Sequence, residues 1–207
     1  MDFFLIALMA ATAIHMLKSA EQRKRIALLG SHLSQFQIER LMETLADGYL
    51  RALAEKDPVR RDQIWALLAS SETQLGEQFS RFSSSFNKVE EPQARISKLP
   101  LALPFATQLL PALSFDARRA FAIHAQGFQQ AAQNARGLSP RDKAFTMSAE
   151  LFLMQHTCHW YCKSRTVASA RLLARHQTAY EKVLESVSPE TRRAKLALPA
   201  TATPSSK

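Results

Sequence analysis

The residues most able to do chemistry stand in one run, His156-Thr157-Cys158-His159-Trp160-Tyr161-Cys162. Thiolates and imidazoles ligate metals, and a thiol pair can serve a redox or metal sensor. At about 100° per residue, Cys158 and Cys162 share a helix face, one turn apart. The same face carries Ala144, Met147, Leu151 and Met154, so the thiols point into a core stripe. His156 and His159 lie on another face with Phe145, Phe152 and Trp160. A metal or haem centre would need Cys158 and Cys162 plus a histidine, with His124, on its own apolar stripe, as the first candidate and His159 as the second. Structural zinc usually takes four ligands in closely spaced pairs. Here there is one Cys pair at i, i+4, no second pair and no Cys-x-x-Cys-His haem attachment run. The residues therefore read as free, buried cysteines, with no metal and no cofactor. A disulfide is disfavoured on one straight helix, where the Cβ vectors do not converge.

Other catalytic patterns are missing. The sequence holds no Gly-rich phosphate loop, no nucleophile elbow and no paired histidines of a zinc-protease helix. Acidic residues are scarce on the apolar stripes, which disfavours an inward-facing di-iron carboxylate site. Glu150 with His156 and His159 is the one near-cluster of titratable groups, and a single helix does not define a catalytic geometry. The chain is not expected to be an enzyme.

The elements that must carry these residues are helical. The chain of 207 residues has 32 Ala and 27 Leu against 7 Ile, 5 Val and 5 Gly. Ala and Leu are strong helix formers, and β-branched residues favour strands. With so few Gly for tight turns, an all-β fold and a Gly-rich nucleotide-binding fold are excluded.

Phe3 to Leu17 contains no charge, and Thr12 and His15 are its notably polar residues. Counted from Met1, such a helix spans roughly 25 Å, at the short end for a hydrocarbon core of about 30 Å. Phe3, Phe4, Leu5, Ile6, Leu8, Met9, Ile14 and Leu17 supply its apolar surface, and Lys18 can snorkel. A cleavable signal peptide fits poorly, since Met1-Asp2 is not a positive n-region and charge follows at once. The segment reads as a membrane anchor that spans the bilayer; the alternatives are a helix lying on the membrane or one buried in a soluble core. Lys18, Arg23, Lys24 and Arg25 on its C-terminal side predict a cytoplasmic bundle and a periplasmic N-terminus, in a bacterial inner membrane.

After the anchor and its basic juxtamembrane segment (1–30), a helical hairpin is expected over 31–89. Its first stripe is Ile38, Leu41, Met42, Leu45, Tyr49 and Leu53. The second, opened by the Asp57-Pro58 cap signal, is Ile64, Leu67, Leu68, Leu75, Phe79, Phe82, Phe86 and Val89. Residues 90–114 carry Pro92, Pro100, Pro104 and Pro111, yet Leu99 to Phe115 has no charge. This connector is expected either as an irregular crossover packed across the bundle or as a segment docking on a partner or the membrane interface. Residues 115–196 form the second half of the same bundle. One helix is capped by Ser114 and stopped by Gly137, and another starts at Ser139-Pro140 and runs to Pro189, in one piece or two. Residues 197–207 read as a disordered tail. The fold class is thus all-α, an N-terminal membrane helix followed by an antiparallel bundle with a Pro-rich apolar crossover.

Net charge is +9, concentrated at +4 over 92–138 and +6 over 139–207. Lys163, Arg171, Arg175 and Lys182 fall within about 120° on a helix, opposite Leu172, His176, Tyr180 and Val183. They are either a solvated face or a contact for anionic lipid. Nucleic acid suits the charge, but no recognition motif is present. The functional expectation is a membrane-anchored interaction or scaffold protein, with lipid and a protein partner or a second copy as partners. The alternatives are a thiol or metal sensor using Cys158 and Cys162, and a basic nucleic-acid-binding helical protein.

Overall fold

Side-chain caps set the frame of the bundle in the computed structural model, which describes residues 2–198. The Asp57 carboxylate accepts from the N–H groups of Val59 and Arg60, and Pro58 takes the first position of α3 (Pro58–Phe86). Ser139 does the same for Asp142, opening α6 (Pro140–Cys162). Both helices begin where the cap-then-proline signal predicts. Before them run α1 (Asp2–Leu33) and α2 (Ile38–Ala54). α2 folds back on α3, burying Leu41, Leu45 and Tyr49 against the Leu68 and Leu75 side. A Cβ at Gly48 would meet the end of the Leu68 side chain, which would have to shift to admit it. Leu53 and Leu67, expected on the buried stripes, face solvent instead.

α3 packs most extensively on α5 (Ala117–Gln133). Their seam is aromatic: Phe79 meets Phe128 at 5.0 Å and Phe86 meets Phe121 at 4.9 Å, edge to face in both cases. Tyr161 of α6 closes this stack against Phe86 at 5.7 Å. Such pairs add about 0.5–1.5 kcal/mol each beyond their buried area. α6 is covered on both sides. Met147, Leu151 and Met154 join the main core, whereas Ala149 and Leu153 meet Leu172, Val183, Leu184 and Val187. Burial on two faces explains why its apolar residues point in every direction.

Four expected boundaries need correction. α5 is capped by Asp116, which accepts from Arg118 N–H at 2.8 Å; Ser114 lies in a strand instead. The helix stops at Asn134 (φ 49°) before the chain reaches Gly137 (φ 63°), because asparagine also tolerates the left-handed region. Between Ser139 and Pro189 lie three helices, with α7 (Arg165–His176) and α8 (Tyr180–Ser186) following α6, and α9 (Pro189–Ala197) starts at the proline that ends the stretch. Ser164 and Ser188 cap the next helices with their hydroxyls, and Gln177 (φ 51°) stops α7. At the start of α7 a serine hydroxyl bonded to the backbone thus opens a helix that no Gly or Pro marks. Finally, of the segment read as a tail, Ala197 is helical and Leu198 is buried, and 199–207 lie outside the described residues.

The Pro-rich connector is a pinned loop. It leaves as β1 (Arg95–Ser97) and returns as β2 (Ser114–Asp116), paired antiparallel with Ile96 opposite Phe115. Between them lie one turn of helix, α4 (Ala106–Leu109), and the 3-10 turn Pro111–Leu113. Ile96, Phe115, Ala106 and Thr107 are buried, but Leu101, Leu103, Phe105, Leu109, Leu110 and Leu113 are exposed. The connector is therefore only half packed on the bundle.

Candidate membrane-facing site

α1 is a single helix with two unlike halves. From Phe3 (85% exposed) to Leu17 (48%) its large apolar side chains are exposed. It is also the one helix, over 3–33 and among the described residues, long and apolar enough to cross a membrane. From Glu21 onward the same helix is locked to the bundle. Leu29 is buried, with Leu28 and Leu33 packed beside it. His32 places Nδ1 2.9 Å from Ser85 Oγ and its ring edge on Phe86.

Arg25 is the main fastener. Its Nη1 donates to the carbonyls of Arg95 (2.9 Å) and Tyr161 (3.3 Å), and its Nη2 to Thr107 Oγ1 (3.1 Å) and Glu21 Oε1 (3.0 Å). One guanidinium so joins α1 to β1, α6 and α4, with its plane over the Tyr161 ring. The second oxygen of Glu21 accepts the Phe105 N–H at 2.9 Å. That bond holds Phe105 at φ 54°, a region costing roughly 1–2 kcal/mol for a non-glycine residue. Lys163 Nζ donates to Gln22 Oε1 at 3.1 Å. Between α1 and the connector lies a shallow groove of about 30 Å³, lined among others by Lys18, Gln22, Leu101, Leu103, Trp160 and Lys163.

The predicted chemical residues are elsewhere and apart. Cys158 and Cys162 are free, half-buried and packed on the main core, with Cys158 Sγ 3.6 Å from Met154 Sδ. Burial pushes their thiols up, to about 12 and about 11, so both stay protonated at neutral pH. His124 faces Thr157 across α5 and α6, its Nε2 2.8 Å from Oγ1. His159 sits on the outer side, Nδ1 3.1 Å from Arg171 Nη1. Among the described residues no three His, Cys, Asp or Glu side chains gather to hold a metal ion.

What the sequence reading missed is Lys195. This α9 lysine is 4% exposed and donates to Thr157 Oγ1 at 2.6 Å, on the hydroxyl that also meets His124. Burial lowers the ammonium to about 7. Burial also drives His124 well below its usual range and His156 to about 3, with Lys195 the next contributor to both. Beside them, buried Glu150 accepts from Ser188 N–H (3.1 Å) and Ser188 Oγ (2.8 Å), and burial raises its carboxyl. No signal near Lys195 in the chain marks it for burial, since its partners lie 38 residues or more away. The cluster ties α5, α6 and α9 together.

The basic stripe is also rearranged. Arg171 and Arg175 are exposed on α7, Lys182 is exposed on α8, and Lys163 closes α6 against α1. The breaks at 163–164 and 177–179 take the four residues off one common helix face. No family model, curated protein or solved structure matches the chain.

Proposed function

We propose that the protein is a single-pass membrane protein whose helical bundle serves as an interaction or scaffold module on the cytoplasmic side. The observation that carries this is the division of α1, apolar and exposed over 3–17 yet fastened into the bundle from Glu21. In water that exposed half is costly, at about 25 cal/mol per Å² of apolar surface, and a bilayer removes the cost. A continuous helix with a locked second half also fixes how the bundle stands on the membrane, which suits a scaffold. Lys18, Arg23 and Lys24 follow the apolar run and favour a cytoplasmic bundle, with the N-terminus periplasmic in a bacterium.

An interaction role draws further support from the far end of the α2–α3 hairpin. Leu50, Val59 and Leu67 are large, apolar and exposed on these two helices, the residue type through which a protein partner would be met. The buried His124, Thr157 and Lys195 network is structural in this reading. The test is cellular photo-crosslinking from Leu50 and from Leu67, with Arg171 as the comparison, alongside reporters fused after Lys207. The expected result is a discrete protein adduct at Leu50 or Leu67 and activity of a cytoplasm-only reporter. No adduct at either leucine would overturn the interaction role, and an active periplasm-only reporter would reverse the orientation.

A further inference from the structure

We propose that the outer rim of the 98–113 loop is a second membrane contact, seated in the headgroup boundary of the leaflet from which α1 emerges. This rests on the reading of α1 as the anchor. Leu101, Leu103, Phe105, Leu109, Leu110 and Leu113 are exposed together on this one loop, with Leu109 at 74% and Leu101 at 64%. They have no route inward. β1–β2 pairing pins the loop's base, Ala106 and Thr107 are already buried beneath it, and Glu21 holds Phe105 from below.

Position names the occupant. Glu21 lies four residues beyond Leu17, about 6 Å along the helix axis. A headgroup layer is roughly 5–7 Å thick on each side of the hydrocarbon core. With Leu17 at the hydrocarbon edge, the Glu21–Phe105 bond therefore falls within that layer. Leu101 and Leu103 share a groove with Lys18, nearer still to the apolar core. The loop thus continues the surface that α1 presents to lipid.

Charge agrees with position. Residues 99–113 carry no charge, and cations border them: Lys18 on α1, Lys98 at the loop's start, Lys163 across the groove, and Arg165, whose neighbour Thr166 donates to Pro100 O at 2.7 Å. The bordering acids are paired, Glu21 with Arg25 at 3.0 Å and Asp116 with Arg118 at 2.8 Å. Apolar side chains ringed by Lys and Arg are the composition of segments that lie 5–10 Å into an anionic bilayer surface, as a rough depth. A short apolar span in α1 fits the same arrangement, since an embedded loop holds the bundle flush with the bilayer.

The test uses the full chain with Cys158→Ala and Cys162→Ala, labelled with a fluorophore at one introduced cysteine, Leu8→Cys, Leu67→Cys or Leu109→Cys. It is reconstituted in phosphatidylcholine vesicles containing phosphatidylglycerol, with either brominated lipid or aqueous iodide as quencher. The expected result is strong brominated-lipid quenching at Leu8 and Leu109, several-fold above that at Leu67, with iodide reaching Leu67 best. Quenching at Leu8 but not Leu109 would overturn the loop contact and leave the anchor standing. A Leu109 label shielded from both quenchers would also overturn it, since a protein would then cover the loop. Absence of lipid quenching at Leu8 would remove the anchor reading itself.

Discussion

Replacing Gly127 with alanine is expected to destabilise the bundle by about 3 kcal/mol, the upper range for an overpacked core. The added Cβ would stand 2.5 Å from Glu150 Oε2 and 2.6 Å from Thr191 Oγ1. Neither atom can step aside easily. Glu150 is clamped by Ser188, and Thr191 belongs to the first turn of α9. Gly127 is thus the point where α5 comes close enough to α6 and α9 for a buried carboxylate to fit between them. Alanine's better helix propensity, worth about 1 kcal/mol, offsets only part of the loss. Gly30→Ala is the matched comparison: it is also helical, but nothing lies within 4 Å of its added Cβ. Urea unfolding in detergent should show Gly30→Ala neutral or slightly stabilised, and Gly127→Ala strongly destabilised. Equal stability of the two would mean that α5 and α9 do not meet as described.

The second large effect is on pH dependence. His124 and His156 have folded values far below the ordinary imidazole, His156 at about 3. Between that value and 6.5 the unfolded chain binds protons that the folded chain does not. Stability must then fall as pH drops, by up to about 2.7 kcal/mol per pH unit for two such groups. Glu150 works in the opposite direction over part of this range, because its raised carboxyl holds its proton longer in the folded state. Lys195 adds an alkaline limb. Its folded value of about 7 lies below the ordinary 10.5, so the unfolded state again holds more protons in that window. Stability should rise as pH goes from 7 towards 9, above which the raised thiols of Cys158 and Cys162 and the raised Tyr49 phenol act in the opposite direction. Lys195→Met removes the limb, and the Thr157 hydroxyl keeps His124 and the Leu153 carbonyl as partners. Denaturation midpoints between pH 4 and pH 9, for wild type and Lys195→Met, check both claims. An alkaline rise that survives Lys195→Met would show that this lysine is not the group responsible.

These residues also show how far a sequence reading reaches. Asp57-Pro58 and Ser139-Pro140 announced their helices because a cap acts within three residues of itself. The apolar run from Phe3 to Leu17 was legible for the same local reason. Lys195 was not, because what buries it comes from α5 and α6, far back in the chain. A reader sees there only one more basic residue in a basic half. The breaks before α7 and α8 escaped because serine and glutamine made them. Projecting one continuous helix then drew a cationic stripe that the fold divides. The connector's lack of charge was plain from its residues, but its outward leucines follow from the β1–β2 pairing, which joins residues about twenty apart.

The central claim is that the apolar half of α1 lies within a bilayer. Alkaline carbonate extraction of membranes carrying the full chain tests it most directly, since it strips proteins held by charge and spares those held in hydrocarbon. The protein should remain with the membrane pellet, and a variant lacking residues 3–17 should move to the supernatant. Release of the full chain into the supernatant would contradict the account.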